Sequence, residues 1–199
     1  VAIETLVTTD HMTIAGEVKS KVDLDIRTVA SEVIDSIGYS KRLNLGFDSD
    51  CNKDIRVHEQ SPDINQGVEK ANGLQGAGDQ GIMFGGAVNE TPELMPLPIA
   101  LSKAILLKYN KIRDKEVWYP DCKSQVSVEY DNGKPVRIDS VVISAHHSDK
   151  LSNEIVHKFL KYVIEDTLKD YGYSIEEVNL YINPTGRFVI GGPNGDTGL

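Results

Sequence analysis

The chain has few cysteines, no excess of positive charge and no long apolar run. Cys51 and Cys122 are its only cysteines among 199 residues, and they show no metal-ligand spacing. Two such cysteines are too few for a disulfide framework and are typical of free thiols in a reducing compartment. The formal net charge of −9 argues against a nucleic-acid partner, which requires a basic face. Without a signal peptide or a membrane span, the sequence predicts a cytoplasmic protein with no membrane partner.

The standard nucleotide-binding motifs are also missing, although two glycine-rich loops that carry a carboxylate are present. Residues 76–81 read GAGDQG and lack the Lys-Ser/Thr pair of a P-loop, and residues 191–195 read GGPNG without Rossmann spacing. Glycine allows backbone N–H groups to approach an anion closely. Beside the second loop, Arg187 can hold a phosphate and Phe188 can stack on a base. Each loop alone is compatible with an ordinary turn, but together they indicate a nucleotide site.

The spacing of apolar residues predicts two related units. Residues 3–8 and 12–18 read as a β-hairpin, followed by a helix over 25–37 and a strand over 53–59. The later elements are a strand at 81–88, a helix at 96–112, a hairpin of 125–130 and 136–144, a helix at 151–168 and a strand at 178–182. We therefore predict an α+β fold of pseudo-repeated β-α-β-β-α-β domains, with mixed or antiparallel sheets and helices on one face.

The predicted domains divide the chain near residue 75. Residues 1–75 form a first repeat without its initial strand and helix, together with a long polar loop that starts at Gln60. Residues 76–199 form a second repeat and the glycine-rich C-terminal loop. Val1 lies inside a predicted strand and Leu199 inside a glycine loop, so we expect further sequence, cut away or disordered, at both ends.

Two pairs of polar residues have the chemistry of a binding site. Asp121 and Lys123 lie just before a predicted strand. A lysine near a glycine loop can neutralise phosphates, although a solvated turn is the commoner arrangement. Glu4 and Glu17 lie on the two strands of the first hairpin. Opposed carboxylates can bind a cation or an ammonium group, but glutamates are more often simply exposed.

The adjacent histidines His146 and His147 do not predict a metal site. Neighbouring residues of a strand point to opposite faces of the sheet, so the two imidazoles cannot easily share one ion. We therefore expect both to be surface histidines.

Five separated stretches resemble, in order, those of the S-adenosylmethionine synthetase (methionine adenosyltransferase) family. The stretches are QSPDINQG at 60–67, GAGDQGIMFG at 76–85, NET at 89–91 with LMP at 94–96, KSQV at 123–126, and NPTGRFVIGGP at 183–193. The resemblance covers essentially the whole chain. It implies an enzyme in which the sulfur of L-methionine attacks C5′ of ATP. The expelled triphosphate is then hydrolysed to pyrophosphate and phosphate.

The resemblance also implies the ATP-binding residues and the assembly. Lys123 would contact the phosphates as a catalytic residue, Asp121 would lie towards the adenosine, and Arg187 and Phe188 would hold the adenine and ribose side. Asp79 would lie at the nucleoside site across a dimer interface. Family active sites are shared by two subunits, so a homodimer or a dimer of dimers is implied.

The methionine side and the metal ions follow from the same resemblance. Glu17 and Gln60 would hold methionine, and Asp196 would be catalytic and face both ATP and the methionine amino group. Glu4 would take part in a K⁺ site, and two Mg²⁺ ions would be needed per active site. The implied gating loop comprises Gln60, Ser61, Pro62, Asp63, Ile64, Asn65, Gln66 and Gly67.

The chain departs from the family pattern at both ends. The upstream Gly-His-Pro-Asp-Lys motif and the downstream basic motifs are absent from its 199 residues. This chain by itself is therefore expected to carry about half of the site and to be inactive. The alternative to an enzyme is a non-catalytic fragment or subunit of this fold that acts in dimerisation or regulation.

Overall fold

The structure is a computed structural model that describes residues 2–68, 73–74, 76–77 and 80–198. The described residues group into two compact units. One runs to Gly86 and also includes the chain from Pro193 onwards, and the other extends from Ala87 to Gly192. The domain boundary predicted at residue 75 stays a prediction, because residue 75 lies outside the described ranges. No helix in the described part of the chain is long and apolar enough to cross a membrane.

The first unit contains a three-stranded mixed sheet with the order β1-β2-β3. Strands β1 (Ala2–Thr8) and β2 (His11–Val18) form an antiparallel hairpin, and β3 (Asn52–Glu59) pairs parallel to β2 after helix α1 (Ile26–Ile37). A short helix, α2 (Pro62–Val68), follows β3. The predicted β-β-α-β order of this half is confirmed.

Local sequence signals determine the bounds of α1. The Asp25 carboxylate accepts hydrogen bonds from the backbone N–H groups of Arg27 and Thr28, which have no partner inside the helix. Gly38 ends the helix with a φ of 111°, a conformation that glycine adopts at little cost. The buried hydrophobic side chains of this unit are Met12, Ile14, Ala30, Ile34, Tyr39, Phe47 and Cys51.

The second unit repeats the same β-β-α-β order behind an additional helix. Helix α3 (Leu97–Ile112) precedes a long antiparallel hairpin of β4 (Trp118–Asp131) and β5 (Lys134–His147), and helix α4 (Asn153–Asp170) leads to β6 (Asn179–Ile182). Strand β6 pairs parallel to β5, so this sheet is also mixed. The predicted α+β class with mixed sheets is confirmed.

The strand predicted at 81–88 is wrong. These residues form no strand, and Ile82, Met83 and Phe84 are 79%, 94% and 88% exposed. Apolar composition alone does not make a strand, which also requires a neighbour to accept its backbone hydrogen bonds. Within the described residues, the second repeat therefore begins with α3 rather than with a strand.

The core of the second unit lies between its sheet and its two long helices. Leu160 and Ile164 of α4 are fully buried with Leu101 and Ile105 of α3, and they pack against the inward residues of β5. Both cysteines of the chain are free, as predicted, and burial raises the pKa of the Cys122 thiol to about 12.

Truncation of Leu160 tests this core. The Leu160→Ala variant is expected to lose about 3–4 kcal/mol of unfolding free energy, because a fully buried leucine leaves a cavity when it is shortened. Urea unfolding followed by the fluorescence of Trp118, the single tryptophan, measures the loss. Ile155→Ala on the exposed side of α4 is the matched control, and equal losses for both variants would contradict the described packing.

Candidate functional site

Asn183 anchors the glycine-rich segment, residues 183–192, to the end of β5. Its backbone N–H donates to the carbonyl of Ile143 at 2.9 Å. Its side-chain oxygen accepts from the Ala145 N–H at 2.9 Å, and its amide nitrogen donates to the Ala145 carbonyl at 3.2 Å. The side chain therefore imitates one more residue of β6. Asn183 is 4% exposed and has a φ of 39°, a conformation that asparagine tolerates better than most residues.

The backbone of Phe188 is attached to His147. The backbone N–H of His147 donates to the Phe188 carbonyl at 2.9 Å, and the backbone N–H of Phe188 donates to the ring nitrogen Nε2 of His147 at 3.4 Å. Because Nε2 accepts, the hydrogen of this imidazole lies on Nδ1, which donates to the Ser148 carbonyl at 2.9 Å. These bonds fix the course of the chain at Phe188.

The predicted exposure of the two histidines is wrong, since His146 and His147 are each 1% exposed. They do point away from each other: His147 contacts Trp118, whereas the His146 ring meets the edge of Tyr119 at a centroid distance of 4.7 Å. The two histidines are buried because the chain around Phe188 packs over the end of β5. The alternation of side chains along a strand does not predict this contact.

The Phe188 ring is stacked on His146 and closely packed against Gly191. The two ring centroids are 5.5 Å apart with an angle of 21° between the ring planes. A β-carbon at Gly191 would lie 2.6 Å from Phe188 Cε2 and 3.0 Å from His146 Nδ1, so only glycine fits there. One face of Phe188 is thus covered by imidazole, which leaves at most the opposite face for a base.

Asp121 and Lys123 lie two residues apart on β4 and therefore on the same face of the sheet. The Asp121 carboxylate accepts a hydrogen bond from the Gly192 N–H at 2.8 Å, so it holds the glycine loop. The Lys123 side chain is exposed and has no ion-pair partner among the described residues. Arg187 is also exposed. Cationic side chains with this freedom can bind an anionic ligand such as a polyphosphate.

The predicted carboxylate pair of the first unit is offset. Glu4 pairs with Ala15 across the hairpin, whereas Glu17 pairs with Ala2, so the two glutamates share a face without being directly opposed. Glu17 Oε1 instead lies 3.4 Å from Nε2 of His58 on β3. Among the described residues, no three His, Cys, Asp or Glu side chains converge, so Glu4 offers a single carboxylate and not a complete metal site.

The predicted gating loop is mostly helical. Gln60 extends the sheet, because its N–H donates to the Val18 carbonyl at 3.3 Å. Helix α2 then begins at Pro62, and the Ser61 carbonyl accepts from the Asn65 N–H at 2.9 Å. Proline suits the first position of a helix because the N–H that it lacks would have no partner there.

Asp196 lies on the chain end that returns to β1. The backbones of Val7 and Gly198 exchange two hydrogen bonds of 2.9 and 3.1 Å, and the Thr9 hydroxyl donates to the side chain of Asn194 at 3.2 Å. Asp196 itself is exposed. A third carboxylate predicted for the ATP site besides Asp121 and Asp196, that of Asp79, lies outside the described residues.

Asn183 and His146 received no site role from the sequence. An asparagine directly before proline marks a turn, but the positive φ of Asn183 is seen only in the structure. No comparable signal exists for His146, because its partners Tyr119 and Phe188 are remote in sequence.

Comparison with known proteins gives two domain matches. The model described as S-adenosylmethionine synthetase, N-terminal domain, matches residues 1–62, and the model for the central domain matches residues 74–188. These tandem α+β domains define a class of transferases. The chain belongs to the S-adenosylmethionine synthetase family, as the resemblance predicted.

Individual relatives agree with the domain matches. An S-adenosylmethionine synthase of Fusobacterium nucleatum is 45% identical over 204 residues, which cover 100% of this chain and 52% of the relative. Those of Flavobacterium johnsoniae and Pseudothermotoga lettingae are 46% and 44% identical, again over 100% of this chain and over 51% and 54% of their own lengths. The chain spans about half the length of the curated relatives that it matches.

Proposed function

We propose that this chain is part of a methionine adenosyltransferase that forms S-adenosylmethionine from ATP and L-methionine. The methionine sulfur forms a bond to C5′ as the bond from C5′ to the triphosphate oxygen breaks. Water then splits the triphosphate into pyrophosphate and phosphate. The observation that carries the proposal is the match of the two family domains, which together account for most of the chain.

The reaction requires positioning and charge stabilisation more than acid–base catalysis. Sulfur is a good nucleophile without deprotonation, but it must be held in line with C5′. Negative charge grows on the leaving triphosphate, so a cation aimed at it lowers the barrier. Lys123, exposed on β4 without an ion-pair partner among the described residues, fits this role.

The nucleoside side would be formed by residues near the glycine loop of the second unit. Phe188 offers an aromatic face to adenine, and Arg187 lies next to it in sequence for the ribose and phosphates. We assign Asp121 a supporting role in addition to its predicted contact with adenosine, because its carboxylate binds the Gly192 N–H. Asp79 would complete this side from the partner subunit.

The methionine side would use residues of the first unit. Glu17 is a carboxylate for the methionine ammonium group, and Gln60 lies at the end of the neighbouring strand β3. Asp196 would face the amino group and ATP. The segment from 60 to 67 would close over the substrates, with α2 as its helical part.

Metal ions and assembly complete the proposal. Glu4 would contribute one carboxylate oxygen to K⁺, and two Mg²⁺ ions would neutralise charge on the triphosphate when bound. We further propose a cytoplasmic homodimer, or a dimer of dimers, with shared active sites.

The test is an assay of the full-length protein that carries this chain. With ATP, L-methionine, Mg²⁺ and K⁺, we expect release of pyrophosphate and phosphate that depends on methionine, together with S-adenosylmethionine detected by mass spectrometry. Omission of methionine is the control for simple ATP hydrolysis. Loss of ATP at the same rate without methionine, and without S-adenosylmethionine, would refute the proposal and favour a non-catalytic role for this fold.

A further inference from the structure

His146 has a buried side chain with an unused polar atom. Its Nε2 lies 3.2 Å from the Val189 carbonyl, which can only accept, so the ring hydrogen is on Nε2. The other nitrogen, Nδ1, is then a bare acceptor, and it has no hydrogen-bond partner within the described part of the chain. An unpaired buried acceptor costs free energy, so a polar residue at this position calls for an explanation beyond packing.

Three contacts of His146 lead to the glycine-rich segment. One face of the imidazole stacks on Phe188, Nε2 binds the carbonyl of the next residue, Val189, and the ring closely approaches the backbone of Gly191. The Tyr119 ring of β4 also contacts the imidazole, at an angle of 70° between the ring planes. The imidazole thus connects β4 with three positions of the segment that carries Phe188.

The surroundings of His146 favour the uncharged form of the imidazole. Burial lowers the pKa of His146, against the opposing influence of the Asp121 carboxylate. Asp121 is itself engaged with Gly192 at the far end of the same segment. A neutral ring can stack flat on Phe188 while it donates to Val189.

We propose that His146 is a positioning residue for the nucleotide site, which fixes the plane in which Phe188 presents its free face to adenine. This inference rests on the proposed function. His146 does not touch the nucleotide: it acts through the stack on Phe188 and the hydrogen bond to Val189. A histidine that served only for packing would support folding but would not distinguish one substrate from the other.

Kinetics of the full-length enzyme separate these two roles. In His146→Ala, the KM for ATP is expected to rise roughly three- to tenfold, which corresponds to the free energy of one aromatic pair interaction. The kcat and the KM for methionine are expected to change less than about twofold. His146→Phe retains the aromatic stack but loses the hydrogen bond to Val189, so it is expected to recover the KM for ATP only in part. His157→Ala, at an exposed histidine of α4, is the matched control.

NMR of the 199-residue chain tests the positioning without reference to catalysis. We expect ¹H–¹⁵N couplings to show the hydrogen of His146 on Nε2, and His146→Ala to shift the ring protons of Phe188 while His157→Ala leaves them unchanged. A hydrogen on Nδ1, or unchanged Phe188 shifts, would overturn the inference even if the enzyme is active. In an active enzyme, an unchanged KM for ATP in His146→Ala, or a His146→Phe variant as impaired as His146→Ala, would also overturn it. If NMR gives the expected result but the full-length protein forms no S-adenosylmethionine, only the proposed function is refuted.

Discussion

Replacement of Lys123 by methionine in the full-length enzyme is expected to lower kcat for S-adenosylmethionine formation by about 10²- to 10³-fold. Methionine keeps the length of the side chain and removes its charge. The charge matters most when the triphosphate leaves, so the loss should appear in kcat more than in the KM for either substrate. Steady-state kinetics with both substrates varied measure this distribution.

The matched control for this variant is Lys134→Met, because Lys134 is an exposed lysine of the adjacent strand β5. It is expected to leave kcat within about twofold of the parent enzyme. Lys123→Arg retains the charge with a different geometry and should recover part of the activity. Equal activity of the Lys123→Met and parent enzymes, or an equal loss in Lys134→Met, would remove Lys123 from the catalytic role.

Local signals in the sequence predicted most of the elements. Asp25 and Gly38 bound α1 as expected. The Asp-Asn-Gly signal predicted the tight turn between β4 and β5, where Asn132 and Gly133 both have positive φ, as a two-residue hairpin requires. Such signals act over a few residues, which explains why they remain valid without knowledge of the rest of the fold.

These local signals do not predict features that depend on residues distant in sequence. The apolar residues at 81–88 look like a strand but pair with no other strand in the described part of the chain. The hairpin of β4 and β5 is longer than predicted, because β4 continues through an irregularity between Trp118 and Cys122 that accommodates Pro120. Proline disfavours a strand at this position, and the pairing with β5 compensates for it.

The site shows the same division between local and distant information. Motif resemblance selected Asp121, Lys123 and Phe188 as site residues, and the structure brings Asp121 and Phe188 to one glycine-rich segment. The motif resemblance did not indicate that Asp121 binds Gly192 or that His146 lies against Phe188. These contacts join β4 and β5 to a segment that follows β6, so they exist only after the sheet has formed.

Replacement of Asn183 by alanine is expected to lower the unfolding free energy of the second unit by about 3 kcal/mol. The variant leaves the N–H and the carbonyl of Ala145 buried without their partners, and it places alanine at a φ of 39°. Urea unfolding followed by Trp118 fluorescence measures the effect. Since Asn183 also fixes the start of the segment that carries Phe188, the KM for ATP of the full-length variant should rise.

Two further variants separate the causes of this loss. Asn183→Gly removes the side chain but tolerates the positive φ, so it should be less unstable than Asn183→Ala by the cost of the backbone strain, about 1 kcal/mol. Asn179→Ala is the matched control. The side chain of this exposed asparagine of β6 donates a hydrogen bond to the Asp139 carbonyl, and its removal should cost less than about 1 kcal/mol. If Asn183→Ala were no more destabilised than Asn179→Ala, the amide of Asn183 would not be the anchor of the glycine-rich segment. The segment would then depend on the backbone pairing of Phe188 with His147, which none of these variants removes.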